Sequence, residues 1–241
     1  MLDAVRIGAW AKSGSPTPTA YGGLRFTAEA SNSSVQLTAV GSAPAVTLVK
    51  SFDGVNWEDY AVGEVIELPS IGKSVYLAAG EGGNNAFGSS SNAYHKFVIN
   101  GLVAASGDVT SLRNFDLAQT TLSPYCYRSM FQGCTGLTSA PELPATTLGI
   151  RCYFQMFSGC TGLTSAPELP ATTLVDFCYF QMFFNCEKLS IIKVHFTNWG
   201  VQTNLWVPNV SSTGTFYKPS ALSEKFGVNN IPNVWTVVNI D

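Results

Sequence analysis

The chain has 241 residues, of which 46% are hydrophobic and 12% are charged, a length that suits one large or two modest domains. The formal net charge is −3 and the 13 lysines and arginines do not cluster, which argues against a nucleic-acid partner because phosphate contacts need grouped basic side chains. No apolar run is long enough to cross a bilayer, so the sequence predicts no membrane-spanning segment.

Residues 1–23 are predicted to form an N-terminal arm and linker. The arm carries spaced apolar residues and is followed by a Ser, Pro and Thr-rich stretch; these apolar residues are Leu2, Val5, Ile7 and Trp10. We expect the arm to be poorly ordered in a monomer, or to dock on a partner subunit. The start lacks the basic and apolar parts of a secretory signal, so no export by the general route is expected if Met1 is the natural start.

Residues 24–101 show the short alternating runs of a β-sandwich-like domain. The predicted strands are Leu24–Ala28, Ser34–Ala39, Ala45–Ser51, Asn56–Tyr60, Glu64–Glu67, Ser74–Ala79 and Tyr94–Asn100. Asp53-Gly54 predicts a hairpin, and its segment Ser51–Trp57 resembles the Asp-box hairpin of sialidase propellers. No arginine cluster accompanies that segment, so we interpret it as a structural turn. Residues 80–91 are predicted to be a polar loop.

Residues 102–196 contain an internal repeat. Cys134–Leu148, CTGLTSAPELPATTL, recurs letter for letter at Cys160–Leu174, so that each position of the first copy has a counterpart in the second. Further series keep the same spacing: Tyr127, Tyr153 and Tyr179; Met130, Met156 and Met182; Phe131, Phe157 and Phe183; Cys126, Cys152 and Cys178, with Cys134, Cys160 and Cys186 as the second cysteine series. A fixed period of this length is typical of a solenoid, whose units bury their apolar faces against one another.

Each repeat is predicted to place a helix outside and a strand inside. Tyr153, Met156 and Phe157 have the i, i+3, i+4 spacing of a short helix, which Gly133 and Gly159 would end in their respective copies. Residues 137–143 are predicted to be a short or irregular strand because their proline cannot donate a hydrogen bond. Residues 108–112 are interpreted as a degenerate first strand.

The six cysteines follow the repeat. Because equivalent positions form ladders, and because each cysteine has apolar neighbours, we favour buried free thiols over three disulfides. The C-x7-C spacing does not suit zinc, whose paired ligands lie closer together in sequence.

Residues 197–241 are predicted to be a β-rich C-terminal cap, since the period stops and residues 234–240 alternate like a strand. The expected fold class is therefore α+β: an N-terminal β-sandwich-like (Ig-like) domain, a short repeat solenoid and the cap.

The motif Phe157–Ser165, FSGCTGLTS, resembles the core of BspA-like leucine-rich repeats. With APELPATTL and CYFQMF the repeat is similar to a 26-residue subtype of gut anaerobic bacteria and their phages, and the likeness covers residues 24–241. The resemblance implies a right-handed leucine-rich repeat solenoid used for surface recognition or adhesion, with no catalytic residues. The chain departs from the family in its few repeats and in its lack of a visible signal, which fits members that are phage structural or host-recognition proteins.

Candidate catalytic sites are rejected one by one. His95 and His195 each stand alone without a nucleophile, and Ile71–Ser74 lacks the first glycine of a phosphate loop because residue 67 is glutamate. Glu142 and Glu168 recur with the repeat, whereas catalytic carboxylates need different environments. We expect no catalytic, cofactor or metal site, and no enzymatic activity.

Positions whose residue differs between copies of the otherwise constant repeat are the candidate ligand contacts. The outer set comprises Arg128, Phe154 and Phe180, with Gln132, Ser158 and Phe184 at a second position, and their variation predicts exposure. For Phe184 we favour packing under the C-terminal cap over exposure. The strand-face set comprises Thr138, Ser139, Glu142, Thr164, Ser165 and Glu168, which suit contact with carbohydrate or protein but also solubility alone.

Three functions follow as hypotheses. The first is a non-enzymatic phage virion component (a fibre, decoration or host-recognition protein) made in the host cytoplasm and bound to other virion proteins through its arm. The second is an exported bacterial cell-surface adhesin that binds a host protein or glycan, and the third, a hydrolase, has almost no support. A homo-oligomer is possible, but no heptads or other assembly signal is present.

Overall fold

The fold, given by a computed structural model that describes residues 21–117 and 119–240, is β-rich with almost no helix. Its strands are β1 Arg25–Ala28, β2 Ser33–Val40, β3 Leu48–Ser51, β4 Glu58–Tyr60, β5 Val65–Leu68, β6 Ser74–Ala79, β7 Gly88–Ser90, β8 Ala93–Asn100, β9 Val103–Ser106, β10 Leu137–Ser139, β11 Ile191–Lys193, β12 Thr215–Lys218 and β13 Thr236–Asn239. Two short 3-10 helices span Val109–Leu112 and Val201–Thr203, and the described residues contain no α-helix.

Two sheets pack face to face in the N-terminal part. Their strand orders are β10-β9-β1-β6-β3-β4 and β5-β2-β8-β7, with antiparallel pairing except between β9 and β10. Alternate residues of β8 are buried, and one of them, Phe97, meets Phe26 of β1 with ring centroids 4.9 Å apart. All seven predicted strands of this region are present, and β3 and β4 pair as the predicted Asp53-Gly54 hairpin.

One local prediction in this region is wrong, and another is correct only in part. Residues 108–112 are not a strand, because the Asp108 carboxylate accepts a hydrogen bond from the Thr110 N–H (2.7 Å) and caps a 3-10 helix. Residues 80–87 are a loop, as predicted, but strand β7 follows within the predicted range. Phe87 is fully buried in this otherwise polar segment.

The predicted helix of each repeat is also wrong, which removes the α part of the α+β class. The Tyr127 N–H donates across the stack to the Cys152 carbonyl (2.8 Å), and the Tyr153 N–H donates to the Cys178 carbonyl (3.1 Å). Intervening amides close local turns, as the Met130 N–H does with the Tyr127 carbonyl (3.2 Å). Consecutive four-residue turns also bring the residues at positions i, i+3 and i+4 to one side of the chain. The spacing of the apolar residues therefore does not distinguish such turns from a helix.

The turns repeat because every fourth residue has positive φ. In the first copy Tyr125, Ser129 and Gly133 have φ of 58°, 54° and 77°, and the equivalent residues of the second copy have the same conformation. Each left-handed residue reverses the chain locally, and its own N–H donates to the neighbouring copy, as the Ser129 N–H does to the Phe154 carbonyl (2.9 Å). The amide that follows it closes the local turn. Gly133 and Gly159 thus end the turn series rather than a helix.

Two columns of buried rings run through the stack. Phe97, Phe131, Phe157 and Phe183 follow one another at 5.1, 5.4 and 5.9 Å between centroids. A parallel column, Phe87, Tyr127, Tyr153 and Tyr179, has spacings of 6.0, 6.0 and 6.1 Å. Because each column begins in β8 or beside β7, the sheets and the repeats share one apolar core.

The six cysteines are buried free thiols, as predicted. The thiols of Cys134, Cys160 and Cys186 donate to the carbonyl groups of Phe97, Phe131 and Phe157 at 3.3, 3.0 and 3.1 Å. Burial raises the pKa of Cys134 and Cys186 to about 12, which keeps these thiols protonated.

The C-terminal segment continues the stack and closes it. The Phe183 N–H donates to the carbonyl of Trp206, which is fully buried and whose indole N–H donates to the Asn230 carbonyl (2.7 Å). Strands β11, β12 and β13 form a third, parallel sheet, and β13 confirms the strand predicted near the end of the chain.

The predicted arm falls almost entirely on residues 1–20, outside the described residues. Tyr21 packs on Trp57 with ring centroids 4.9 Å apart. Among residues 21–117 and 119–240 there is no helix of the length and apolarity that crossing a membrane would need. The predicted boundaries at 23, 101 and 196 stay predictions.

Candidate recognition surfaces

An outer column of stacked side chains runs along the turns. It contains the predicted residues Arg128, Phe154 and Phe180, and it begins at Tyr94 of β8. The Arg128 guanidinium carbon lies 4.2 Å from the Phe154 ring centroid and 5.6 Å from that of Tyr94, and Phe154 stacks on Phe180 at 4.7 Å. The three predicted residues are half-buried rather than freely exposed, because each covers its neighbour in the next copy.

A second outer column lies three residues earlier in each copy, and the sequence analysis missed it. The Arg151 guanidinium carbon lies 5.1 Å from the Phe177 ring centroid and 5.7 Å from that of Tyr125. Its Nη1 also donates to the Tyr125 hydroxyl oxygen (2.8 Å). The signal was present in the sequence, since residues 125, 151 and 177 obey the same 26-residue period.

Neither guanidinium has an anionic partner among the residues that the structure describes. No carboxylate within residues 21–117 and 119–240 forms an ion pair with Arg128 or Arg151. The Nε atom of each is buried and makes no hydrogen bond. Burial lowers the pKa of Arg128, which the neighbouring charge of Arg151 lowers further while Tyr94 and Tyr125 raise it.

The strand side carries a proline-walled groove of about 500 Å³ between two copies. Its lining comprises Ala140, Pro141, Glu142, Leu143, Pro144, Pro167, Glu168 and Pro170. The structure therefore brings the two predicted glutamates to one groove.

The two glutamates have different surroundings despite their equivalent positions. Glu168 accepts from the Lys193 ammonium (2.9 Å) and contacts His195 Nε2 (2.5 Å), and these hydrogen bonds lower its pKa. Glu142 is exposed and forms no ion pair with any described residue. The carboxylate of Glu168 is thus largely engaged within the protein.

The predicted hydroxyl groups do not converge on a ligand site. The Ser139 hydroxyl donates to the Ala105 carbonyl (2.7 Å), and the Thr138 hydroxyl oxygen is buried without a partner. Thr164 is exposed, while the Ser165 hydroxyl donates to the Ala166 carbonyl (3.3 Å). Ser139 and Ser165 therefore satisfy backbone groups of the frame.

The second variable position is mostly covered. Ser158 is buried, and Gln132 and Phe184 are half-buried, so variation at this position does not mean exposure. Every copy is packed against a neighbour on each side, which the variation alone does not reveal.

One of the two histidines, His95, lies in the protein interior. His95 is buried beside the Phe87 carbonyl (Nδ1 to O, 3.2 Å), and burial lowers its pKa. No group of three or more His, Cys, Asp or Glu side chains suited to a metal ion occurs in the described ranges.

A cleft of about 510 Å³ in the N-terminal part was also missed. Its lining includes Arg25, Asp53, Glu67, Lys73 and Tyr76, which come from separate strands and turns. No local motif links residues so far apart in the sequence, so only the sheet register brings them together.

Comparison of the chain with protein-family models, with curated proteins and with solved structures gave no match.

Proposed function

We propose that the protein is a non-enzymatic recognition and structural protein, and that it is a component of a phage virion. The observation that carries the proposal is the outer face of the repeats, where Arg128, Phe154 and Phe180 occupy one position of an otherwise repeated frame. A frame held by backbone ladders and buried rings keeps such side chains in fixed positions, which favours recognition over catalysis.

We infer a short leucine-rich repeat solenoid of the BspA-like type that follows an Ig-like sandwich and ends in a β-rich cap. Its support is the resemblance of Phe157–Ser165 together with the amides of each copy that donate to carbonyls of the next copy. Few copies are present, so the recognition face is small.

The virion assignment depends on the phage-borne subtype that the repeats resemble. In this proposal the arm of residues 1–23, of which residues 1–20 lie outside the described part, binds other virion proteins. Binding to a second copy of the chain is an alternative use of the same arm.

A second candidate function is an exported bacterial surface adhesin that binds a host protein or glycan. The same resemblance favours it, because BspA-like repeats are a surface-recognition family. The two candidates differ in where the protein is found and not in the proposed fold.

Immunogold labelling separates the two candidates. An antibody raised against residues 21–240 is applied to purified virions and to intact cells of the bacterium that carries the gene. We expect labelled virions and a matching peptide set in virion mass spectrometry. Labelled uninfected cells with unlabelled virions would replace the first candidate by the second, and turnover of a glycan or peptide substrate would contradict both.

A further inference from the structure

The two outer columns together present a pair of cations. Arginine occupies the later position in the first copy, as Arg128, and the earlier position in the second copy, as Arg151, so the guanidiniums lie diagonally on neighbouring copies. The Ser129 N–H bonds the Phe154 carbonyl (2.9 Å), which fixes the two copies against each other at this place.

The charge of this pair is not compensated within the described chain. The rings of Tyr94, Phe154, Tyr125 and Phe177 contribute cation–π attraction, which is worth about 0.5–2 kcal/mol per contact. Such rings offer no negative charge to two neighbouring cations, although the whole chain has a net charge of −3. An external anion would reduce the repulsion between the guanidiniums and use their hydrogen-bond donors.

The surroundings of the pair favour one kind of anion. Phe177 and Phe180 are half-buried rings in T-shaped contact, with centroids 5.8 Å apart, at the end of the columns. Such rings offer apolar edges on which the C–H face of a sugar can pack. A polymer with an anionic group on each sugar can engage neighbouring copies at once, which increases its affinity without new contacts.

We propose that Arg128 and Arg151 bind the anionic groups of an acidic polysaccharide, with Phe177 and Phe180 packing on its sugars. The proposal rests on the recognition role inferred above and names its ligand class. The anionic groups can be carboxylates or sulfate esters, since an arginine fork accepts either.

The test is affinity electrophoresis of the whole chain in native gels that contain polygalacturonate, dextran sulfate, neutral dextran or poly-dT at about 20 mM salt, where screening is weak. We expect retardation by one or both acidic polysaccharides, and the identity of the retarding polymer assigns the carboxylate or the sulfate. Neither dextran nor poly-dT should retard the chain. The proposal would be overturned if both acidic polysaccharides failed to retard the chain, or if poly-dT retarded it as strongly as they do.

Variants with matched charge locate the site. Arg128→Gln/Arg151→Gln should weaken the retardation about tenfold or more. Lys188→Gln/Lys225→Gln removes the same charge at two exposed lysines that have no ion-pair partner in the described part of the chain. This control variant should be retarded almost as strongly as the unmodified protein. Equal weakening in the two double variants would show a general charge effect and contradict the proposal.

A measurement on the unmodified protein covers the case in which the double variant does not fold. Phenylglyoxal modifies accessible arginines, and mass spectrometry reports each modified position. The retarding polysaccharide should slow modification of Arg128 and Arg151 but not of Arg25. Absence of that selective protection would contradict the proposal, whereas virion labelling tests the recognition role separately.

Discussion

At the scale of single residues, two buried or turn-forming groups show how the environment sets chemistry. The repeat buries all six thiols, and those of Cys160 and Cys186 donate to carbonyl groups of the preceding copy. Asp53 is exposed, yet its carboxylate accepts from the N–H groups of Asn56 and Val55, both at 2.8 Å. The pKa of the thiols is set mainly by desolvation, and the pKa of the Asp53 carboxyl is set mainly by hydrogen bonds.

The thiols should be unreactive in the folded protein. Burial raises the pKa of Cys126 to about 11 and that of Cys178 to about 12, so little thiolate exists at neutral pH. We expect negligible reaction with a thiol reagent in buffer and reaction of all six cysteines in denaturant. Rapid modification of the folded chain, or a mass lower by two hydrogens per disulfide, would contradict the buried free thiols.

The Asp53 turn should lose its stabilising effect in acid. Hydrogen bonds from the Asn56 amide first, and then from Val55 and Ser51, lower the pKa of Asp53 below its unfolded value of about 3.9. A lowered carboxyl pKa stabilises the fold above the unfolded pKa, and the effect is lost as pH falls through the folded pKa.

The urea midpoint, measured from neutral pH to about pH 2, checks this sign. At neutral pH the urea midpoint of the unmodified protein should be higher than that of Asp53→Asn. The difference between the two midpoints should become smaller below about pH 4. Asp59→Asn removes another exposed carboxylate of the same hairpin as a control. A gap that stays constant or widens in acid would refute the role of Asp53.

At the scale of elements, the turns and their glycines decide how closely successive copies stack. Gly133 has φ of 77° and open space where a side chain would begin. Gly136 has no such φ, but a Cβ there would overlap the Gly101 carbonyl oxygen. One glycine serves backbone conformation, and the other serves the close approach of the first repeat to the end of β8.

The two glycines should respond differently to alanine. Gly133→Ala should lower the free energy of unfolding by about 1 kcal/mol, the cost of a left-handed alanine. Gly136→Ala should lower the free energy of unfolding by more than this, because the new Cβ would force backbone atoms, rather than a flexible side chain, to move. Thermal unfolding followed by circular dichroism gives both values, and a Gly136→Ala variant as stable as Gly133→Ala would disprove the close contact.

At the scale of the whole molecule, one core links the sheets, the repeats and the C-terminal segment. The ring column that begins at Phe97 reaches Phe183, which lies 6.1 Å from Trp206. No copy has an apolar interior of its own, since every buried ring packs on rings of its neighbours. The stack should therefore tolerate loss of one whole copy but not a change of register.

Deletion of residues 134–159 tests this expectation. It joins Gly133 to Cys160 and removes one 26-residue period, so that the first set of turns meets the third in register. We expect a folded, cooperative protein of lower thermal stability. Deletion of residues 134–158 is the control, because its one-residue shift misaligns the following copies and should prevent cooperative unfolding. Equal behaviour of the two deletions would contradict the ladder.

The sequence by itself determined the β-rich N-terminal part, the period of the repeat and the burial of its cysteines. Alternation in Tyr94–Asn100 marks a strand because side chains of a strand point to opposite faces. The 26-residue offset aligns Tyr127 with Tyr153 without any structure. Composition and spacing are enough for these features because they depend on local geometry or on identity between copies.

Only the tertiary structure decided that the repeats are turns and which outer residues meet. The spacing of Tyr153, Met156 and Phe157 fits both a helix and consecutive turns, and the hydrogen bonds between copies select the turns. The pairing of Arg151 with Phe177 depends on contacts between copies, as does the engagement of Glu168 by Lys193. Each copy is stabilised in its conformation by contacts with the neighbouring copies. The sequence of one copy is therefore not sufficient to predict that conformation.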